Sequence, residues 1–444
     1  MCAARALADH FERVTIVDRD TYPDGPRARR GVPQARHVHA LLIRGRRELE
    51  ALFPGFERGM LDAGAPDIDF AETFAIFRAN GWAARGNIGS TLWSSRDLLE
   101  SIVRRLLRRI DNVELVEDTP VEGLVVEDGR VTGARVRRNG GDAIGADLVV
   151  DASGRASPVV RWLDEHGIAP PPAEIVDADV GYASRWYRRA EPDRIPRDWS
   201  WKGVWIDGEP PDRSPGGVAF PTENGGFQVT LVGFGGDHPP GDEHGFMDYA
   251  RTLRSPLLAD LMDRLEPTSP VYRQTKLVNR YRRYDKWKAD LPGFIATGDS
   301  VCGFNPVYGQ GMSTAAACGA ILRDVLERRG DDPKLHKRFH KAQAKFLELP
   351  WSMATGADFF WSCTTGHKRF GTDAVNAYFL RVFHTMTGDP ELLSRLGPIF
   401  HLIQSPSRMF APWVVARVLR KTGWRRRQRE LMENGIDCTR PPWE

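Results

Sequence analysis

The segment Gly298–Met312, GDSVCGFNPVYGQGM, constrains this chain more than any other stretch. It carries a Gly-Asp pair, then Asn305-Pro306 and a Gly309-x-Gly311 step, between an apolar run at 293–297 and a small-residue, helix-like stretch at 313–328. Glycine permits dihedrals and close backbone approaches denied to other residues, and amides that open a helix can hold an anion or an electron-rich ring edge. An ordinary strand-to-helix turn accounts for one or two of these glycines but not for the combination. The segment predicts the strand, loop and helix of a parallel lobe built around a bound group.

The start of the chain points the same way. A helix-like stretch, CAARALAD at 2–9, runs into a β-branched strand at 13–17 that ends in Asp18 and Arg19. Helix, strand and acid make the second half of a Rossmann βαβ unit, where the carboxylate accepts from the ribose hydroxyls of an adenosine about 20 residues beyond the first glycine of the phosphate-binding turn. Counting back that far passes Met1, so the first strand and its GxGxxG turn are expected upstream of this sequence. Ser95 is placed to cap a helix over 95–109, with Leu98, Leu99, Ile102, Val103, Leu106 and Leu107 at helical spacing. Strands are expected at 121–126 and 131–137, and at 147–150 before the DASGRAS segment at 151–157.

From about 175 to 290 the composition shifts to Trp, Tyr, Pro and Gly with alternating runs such as 227–234, which predicts a mainly antiparallel sheet. The expected fold class is α/β with an α+β insert. It comprises an incomplete Rossmann-like lobe in two pieces, 1–174 and 291–332, an antiparallel substrate lobe over 175–290 and a helical region over 333–444. With 444 residues the chain is long enough to enclose a cofactor, and 62 Lys+Arg against 59 Asp+Glu call for neither nucleic acid nor an acidic partner. Five scattered cysteines, Cys2, Cys302, Cys318, Cys363 and Cys438, form no CxxC pair; the expectation is a reduced, cytoplasmic protein without a metal site. No stretch reaches the ~18 apolar residues of a membrane span.

On these residues the chain resembles the flavoprotein hydroxylases related to para-hydroxybenzoate hydroxylase. Gly298-Asp299 is similar to their second flavin motif, in which the Asp binds the ribityl chain, and Pro306 to Met312 would then pass the flavin ring with amides near its pyrimidine edge. RRGVPQARHVHALLIRG at 29–45 and SRDLLE at 95–100 resemble the corresponding segments of bacterial FAD-dependent monooxygenases, including polyether epoxidases. The resemblance implies FAD bound by Asp18, Arg19, Arg30, Gln34, Arg96, Val121, Asp299, Pro306, Gly309, Gln310, Gly311 and Met312. It implies reduction by NAD(P)H and oxygen transfer from a flavin C4a-hydroperoxide, hydroxylating or epoxidising a hydrophobic small molecule. Such chemistry belongs to the cofactor, so no catalytic side chain is singled out. His37 and His39 can be read as catalytic or as packed residues.

Ser153-Gly154 stands where the hydroxylases have Asp-Gly, and DASGRAS is closer to related reductases and flavin halogenases. Trp199-Ser200-Trp201 is a fragment of the halogenase WxWxIP pattern and does not complete it. A reductase resembling geranylgeranyl reductases, or a truncated non-catalytic remnant, are the alternatives. The basic run of Arg417, Arg420, Lys421, Arg425, Arg426, Arg427 and Arg429 reads either as a solvated helix face or as a peripheral contact with an anionic membrane.

Overall fold

The structure is a computed structural model that describes residues 1–78, 81–137, 142–330, 332–420 and 441. It is of the mixed α/β class. The β-branched run near the start forms the strand Val14–Val17, which pairs in parallel with Val113–Val116. A second parallel pair joins Val149–Asp151 to Phe294–Ala296. Each pair is its own two-stranded sheet, yet both send side chains into one core: Val14, Ile16 and Leu115 meet Val150 and Ile295 there, with Ala3, Ala6 and Leu7 of the Cys2–Ala8 helix. That helix lies against Gly311–Arg329, and a Cβ at Gly319 would sit 2.6 Å from the Cys2 Cβ. Small residues on the long helix therefore let the two backbones approach.

The expected capped helix runs from Arg96 to Leu107. Ser95 Oγ accepts from the Leu98 N–H, and the buried stripe is Leu98, Leu99, Ile102, Val103 and Leu107. Glu223 fixes the cap from another layer, its carboxylate accepting from Ser95 N at 2.8 Å and Ser95 Oγ at 2.5 Å.

The aromatic-rich middle of the chain forms most of a 10-stranded sheet. Its spine is the 17-residue strand Ala173–Arg189, flanked antiparallel by Gly226–Gly233 and Tyr272–Arg282. Register shifts lie between Val176 and Val180 and between Val180 and Tyr182, on the edge facing Tyr272–Arg282. Such bulges bend a strand and deepen its twist.

The sheet reaches beyond 175–290. Phe74–Arg78 pairs in parallel with Gly203–Ile206, Cys302–Gly303 pairs with Tyr272–Arg282, and Thr365–Gly366 with Ala173–Arg189. The first of these departs from the plain reading of 1–174 as parallel lobe. The cause is a short apolar run buried on both faces: Phe74 and Ile76 join Trp93 and Phe220 on one side, Ala75 and Phe77 join Val204 and Ile206 on the other.

Beyond 332 the described chain is largely helical, with Leu335–Asp358, Thr372–Thr387, Pro390–Phe400 and Pro412–Arg420. Arg417 ion-pairs with Asp389 and Glu391, each at 2.6 Å, so its charge is turned inward to the helices. Arg420 is exposed at the end of the last of these helices, and the remainder of the basic run, Lys421 to Arg429, falls outside the described residues. Among the described residues no helix is long and apolar enough to cross a membrane.

Candidate functional site

The loop singled out in the sequence lies where all these layers meet. It leaves the strand Phe294–Ala296, turns at Gly298 with φ +65° and again at Gly309 with φ +63°, and enters the Gly311–Arg329 helix. Both angles are left-handed, where a side chain is strained, and a Cβ on Gly309 would also stand 2.9 Å from that of Ala40. Asp299 sits on the first turn. Its Oδ1 is 3.9 Å from where a Cβ would project at Gly311, so the carboxylate faces the start of the long helix. No hydrogen-bond donor to it is found among the described residues. Part of its surface is open, but the surrounding density of protein raises its pKa through desolvation, against the opposing pull of Arg155, Arg96 and Arg280. Beside it Gln310 is buried, and its Oε1 accepts no hydrogen bond within the protein.

Pro306, Val307, Tyr308, Gly309 and Gln310 form one wall of a cavity of about 1020 Å³. Tyr182, Trp205 and Phe220 of the sheet line it as well, with Phe234 just past a strand, Trp361 between two C-terminal helices, and Phe379, Phe383 and Met386 of the helix Thr372–Thr387. Phe234 and Trp361 stack at 4.5 Å, closing one corner. His37 also borders the cavity. Its Nδ1 lies 2.8 Å from Ser184 Oγ, which lies 2.6 Å from Thr230 Oγ1, and its ring meets Tyr182 edge-on. Burial, with the nearby His39 and Arg36, pulls the His37 pKa down to about 3, so the imidazole stays neutral near pH 7. His39 is pulled down to about 4, by burial first and Arg96 second.

The residues around Asp18 form a separate polar cluster. Asp18 accepts from Asp20 N at 3.0 Å, from Tyr22 Oη at 2.9 Å and from Arg29 at 3.1 Å. A carboxylate has about four acceptor positions, so one is left for any further donor. Arg29 is the centre of this cluster, reaching Asp20 at 2.8 Å and Glu100 at 2.7 Å as well. Sequence reasoning passed over Arg29, although three arginines in four residues at 27–30 beside two acids offered a signal. Val121 opens a strand two residues past Thr119, whose N–H donates to Asp18 O, and Arg96 begins the helix that carries Glu100. Arg19, Arg30 and Gln34 are exposed, and among the described residues their side chains make no hydrogen bond or ion pair with this cluster or the loop. Pro306, Gly311 and Met312 are half-buried along the loop.

Three comparisons bear on this geometry. Residues 28–180 match a family described as an FAD binding domain. Protein Rv3254 of Mycobacterium tuberculosis (strain ATCC 25618 / H37Rv) is 30% identical over 459 aligned residues, covering 97% of this chain and 93% of the relative. Among solved structures, a flavoprotein/dehydrogenase from Cytophaga hutchinsonii superposes with a TM-score of 0.65 at 14% identity, covering 94% of this chain and 93% of that one. The flavin-dependent brominase Bmp2 gives 0.62 at 14% identity, covering 91% and 96%. The protein pqsL of Pseudomonas aeruginosa, described as a probable FAD-dependent monooxygenase, gives 0.57 at 15%, covering 89% and 96%. At such identities the structural likeness speaks for the fold alone.

The Arg29 cluster yields a direct test. Arg29→Ala would leave Asp18, Asp20 and Glu100 converging without their shared cation, and removing one partner from a largely buried ion pair costs about 3 kcal/mol or more. The thermal unfolding midpoint should fall clearly, with Arg29→Lys recovering part of the loss. An unchanged midpoint in Arg29→Ala would show that the three carboxylates do not depend on this guanidinium.

Proposed function

This chain belongs to the same family as protein Rv3254 of Mycobacterium tuberculosis and is an FAD-dependent oxidoreductase, and from that premise we propose that it is a monooxygenase. It hydroxylates or epoxidises a hydrophobic small molecule, using O2 and NAD(P)H. The observation that carries this reading is a shared wall: the Pro306–Gln310 stretch, next to Asp299 and the open end of a 19-residue helix, is also one side of the large apolar chamber.

The residues fit a flavin. Asp299 has no protein donor among the described residues, Gln310 Oε1 is buried without a partner, and Gly309 passes Ala40 too closely for any side chain. Asp299 would accept from a ribityl hydroxyl. The amides opening Gly311–Arg329 would face the electron-rich edge of the ring, where a helix N-terminus favours negative charge. Arg96, close enough to act on Asp299, Cys2 and His39, would stand beside the phosphates. Asp18 has one acceptor position left for a ribose. FAD, when bound, supplies the activation of O2 for transfer of one oxygen atom.

The chamber does the remaining work. Its aromatic lining excludes water from the reacting centre and strengthens every polar contact inside. A cavity near 1000 Å³ takes a drug-sized apolar ligand. His37, neutral and fixed by Ser184, is placed to hydrogen-bond a substrate oxygen without carrying charge into the chamber.

Oxygen transfer itself is tested with a panel of apolar alkenes and electron-rich aromatics, incubated with FAD, NAD(P)H and 18O2. Products heavier by a single labelled oxygen are expected. Products with a saturated double bond and no label would replace the monooxygenase with a reductase.

A further inference from the structure

The C-terminal end of the Leu335–Asp358 helix carries a fully buried carboxyl group, far in sequence from the loop it touches. Asp358 Oδ1 accepts from Tyr308 Oη at 2.7 Å and from Asn305 Nδ2 at 2.9 Å. Its Oδ2 accepts from the same Asn305 Nδ2 at 2.8 Å and from Asn279 Nδ2 at 2.5 Å. Asn279 lies on the sheet strand Tyr272–Arg282 and holds the loop a second time, accepting from Asn305 N at 2.7 Å. Among the described residues Asp358 has no ion-pair partner. One carboxyl thus ties three elements together: the loop beside the chamber, the sheet behind it, and the helix whose Trp351, Thr355, Gly356 and Ala357 line the chamber from the other side.

We propose that Asp358 is a positioning residue that locks the Asn305–Tyr308 wall to the chamber's helical side and transmits its own protonation to that wall. The part of this that concerns a flavin rests on the function proposed above; the lock itself does not. Three donors make four hydrogen bonds to the carboxyl, two on each oxygen, so the acceptor positions of the ionised form are filled. A protonated Asp358 must place its hydrogen on an oxygen that already accepts, and the natural rearrangement is for Tyr308 Oη to become the acceptor and turn its own hydrogen away. Tyr308 borders the chamber, so the change reaches the site.

Burial pushes the Asp358 pKa up to about 7, against the opposing effect of Tyr308, Asn305 and Asn279. The other titratable groups facing this cluster are Asp177, which raises it further, Cys363, whose thiol feels Asp358, and Asp207, which acts on Tyr308. A folded-state pKa raised above the usual carboxylate value near 3.8 means that the native state holds the proton more tightly than the unfolded chain. The stability associated with it is present below that lower value and is lost as pH rises to about 7.

The experiment compares the full-length wild type with Asp358→Asn and Tyr308→Phe, following the thermal unfolding midpoint from pH 4 to pH 9 and the visible spectrum of added FAD over the same range. The midpoint of the wild type relative to Asp358→Asn should fall between about pH 4 and pH 7 and level off above. Tyr308→Phe, which removes one donor to the carboxylate, should carry that window upward. The wild-type flavin spectrum should titrate near pH 7, and Asp358→Asn should abolish this step. Parallel midpoint curves in all three proteins would overturn the lock. A midpoint difference without any spectral step in the FAD-loaded wild type would overturn its transmission to the wall. Failure to bind FAD would count against the proposed function and leave the midpoint curves to decide the lock. Should Asp358→Asn not fold, Tyr308→Phe against wild type carries the test, and coincident pH profiles would overturn it.

Discussion

Every layer of the molecule depends on the hydrogen bonds made by the segment from Thr297 to Ser313. Thr297 N and Ser300 Oγ both donate to Asp151 O, fixing the segment to the second parallel pair. Arg282 of the sheet donates to Ser300 O, and Asn279 accepts from Asn305 N. Ser313 Oγ accepts from Leu42 N, joining the segment to the stretch after His37 and His39, and Asp358 holds Asn305 and Tyr308 from the helical side. Most of these groups are buried, where an unmade hydrogen bond costs about 1–3 kcal/mol. The path of the segment is consequently over-determined, which is what allows left-handed turns at Gly298 and Gly309 and leaves Asp299 and Gln310 Oε1 available.

On the proposed function, this arrangement would let one chain serve a polar cofactor and an apolar substrate. Cations gather on the Asp299 side, with Arg96, Arg155 and Arg280 near its carboxylate. Aromatic rings gather on the other, and the loop is the boundary between them. His37 and His39, on the stretch that meets the loop, are held neutral by burial. Specificity would then follow from the shape of a chamber built jointly by the sheet and the C-terminal helices, two parts that meet only in the folded state.

The sequence revealed what is decided locally. Glycines that need special dihedrals, the Ser95 cap and the helical spacing after it, and the β-branched strand ending at Asp18 all act within a few residues of themselves, and each lies where expected. Three features could not be read that way. The strand Phe74–Arg78 is a short apolar run that carries no period of its own, and its partner lies more than a hundred residues on. Arg29 meets Glu100 across 71 positions, and Asp358 meets Asn279 across 79, so spacing does not identify the partner in either pair. The set expected to bind the cofactor divides for the same reason. Asp299, Pro306, Gly309 and Gln310 share one loop and Gly311 and Met312 open the helix that follows it, whereas Arg19, Arg30 and Gln34 were grouped with them by resemblance and stand exposed.

The central claim is that this loop holds the flavin through Asp299. The direct measurement is the dissociation constant of FAD for wild type and Asp299→Ala, from flavin fluorescence titration, with the thermal midpoint of each recorded alongside. A hydrogen bond to a charged group contributes about 1.5 to 3 kcal/mol, so the variant should bind on the order of 10- to 100-fold more weakly while unfolding at nearly the same temperature. An unchanged FAD affinity, with the fold intact, would contradict the account.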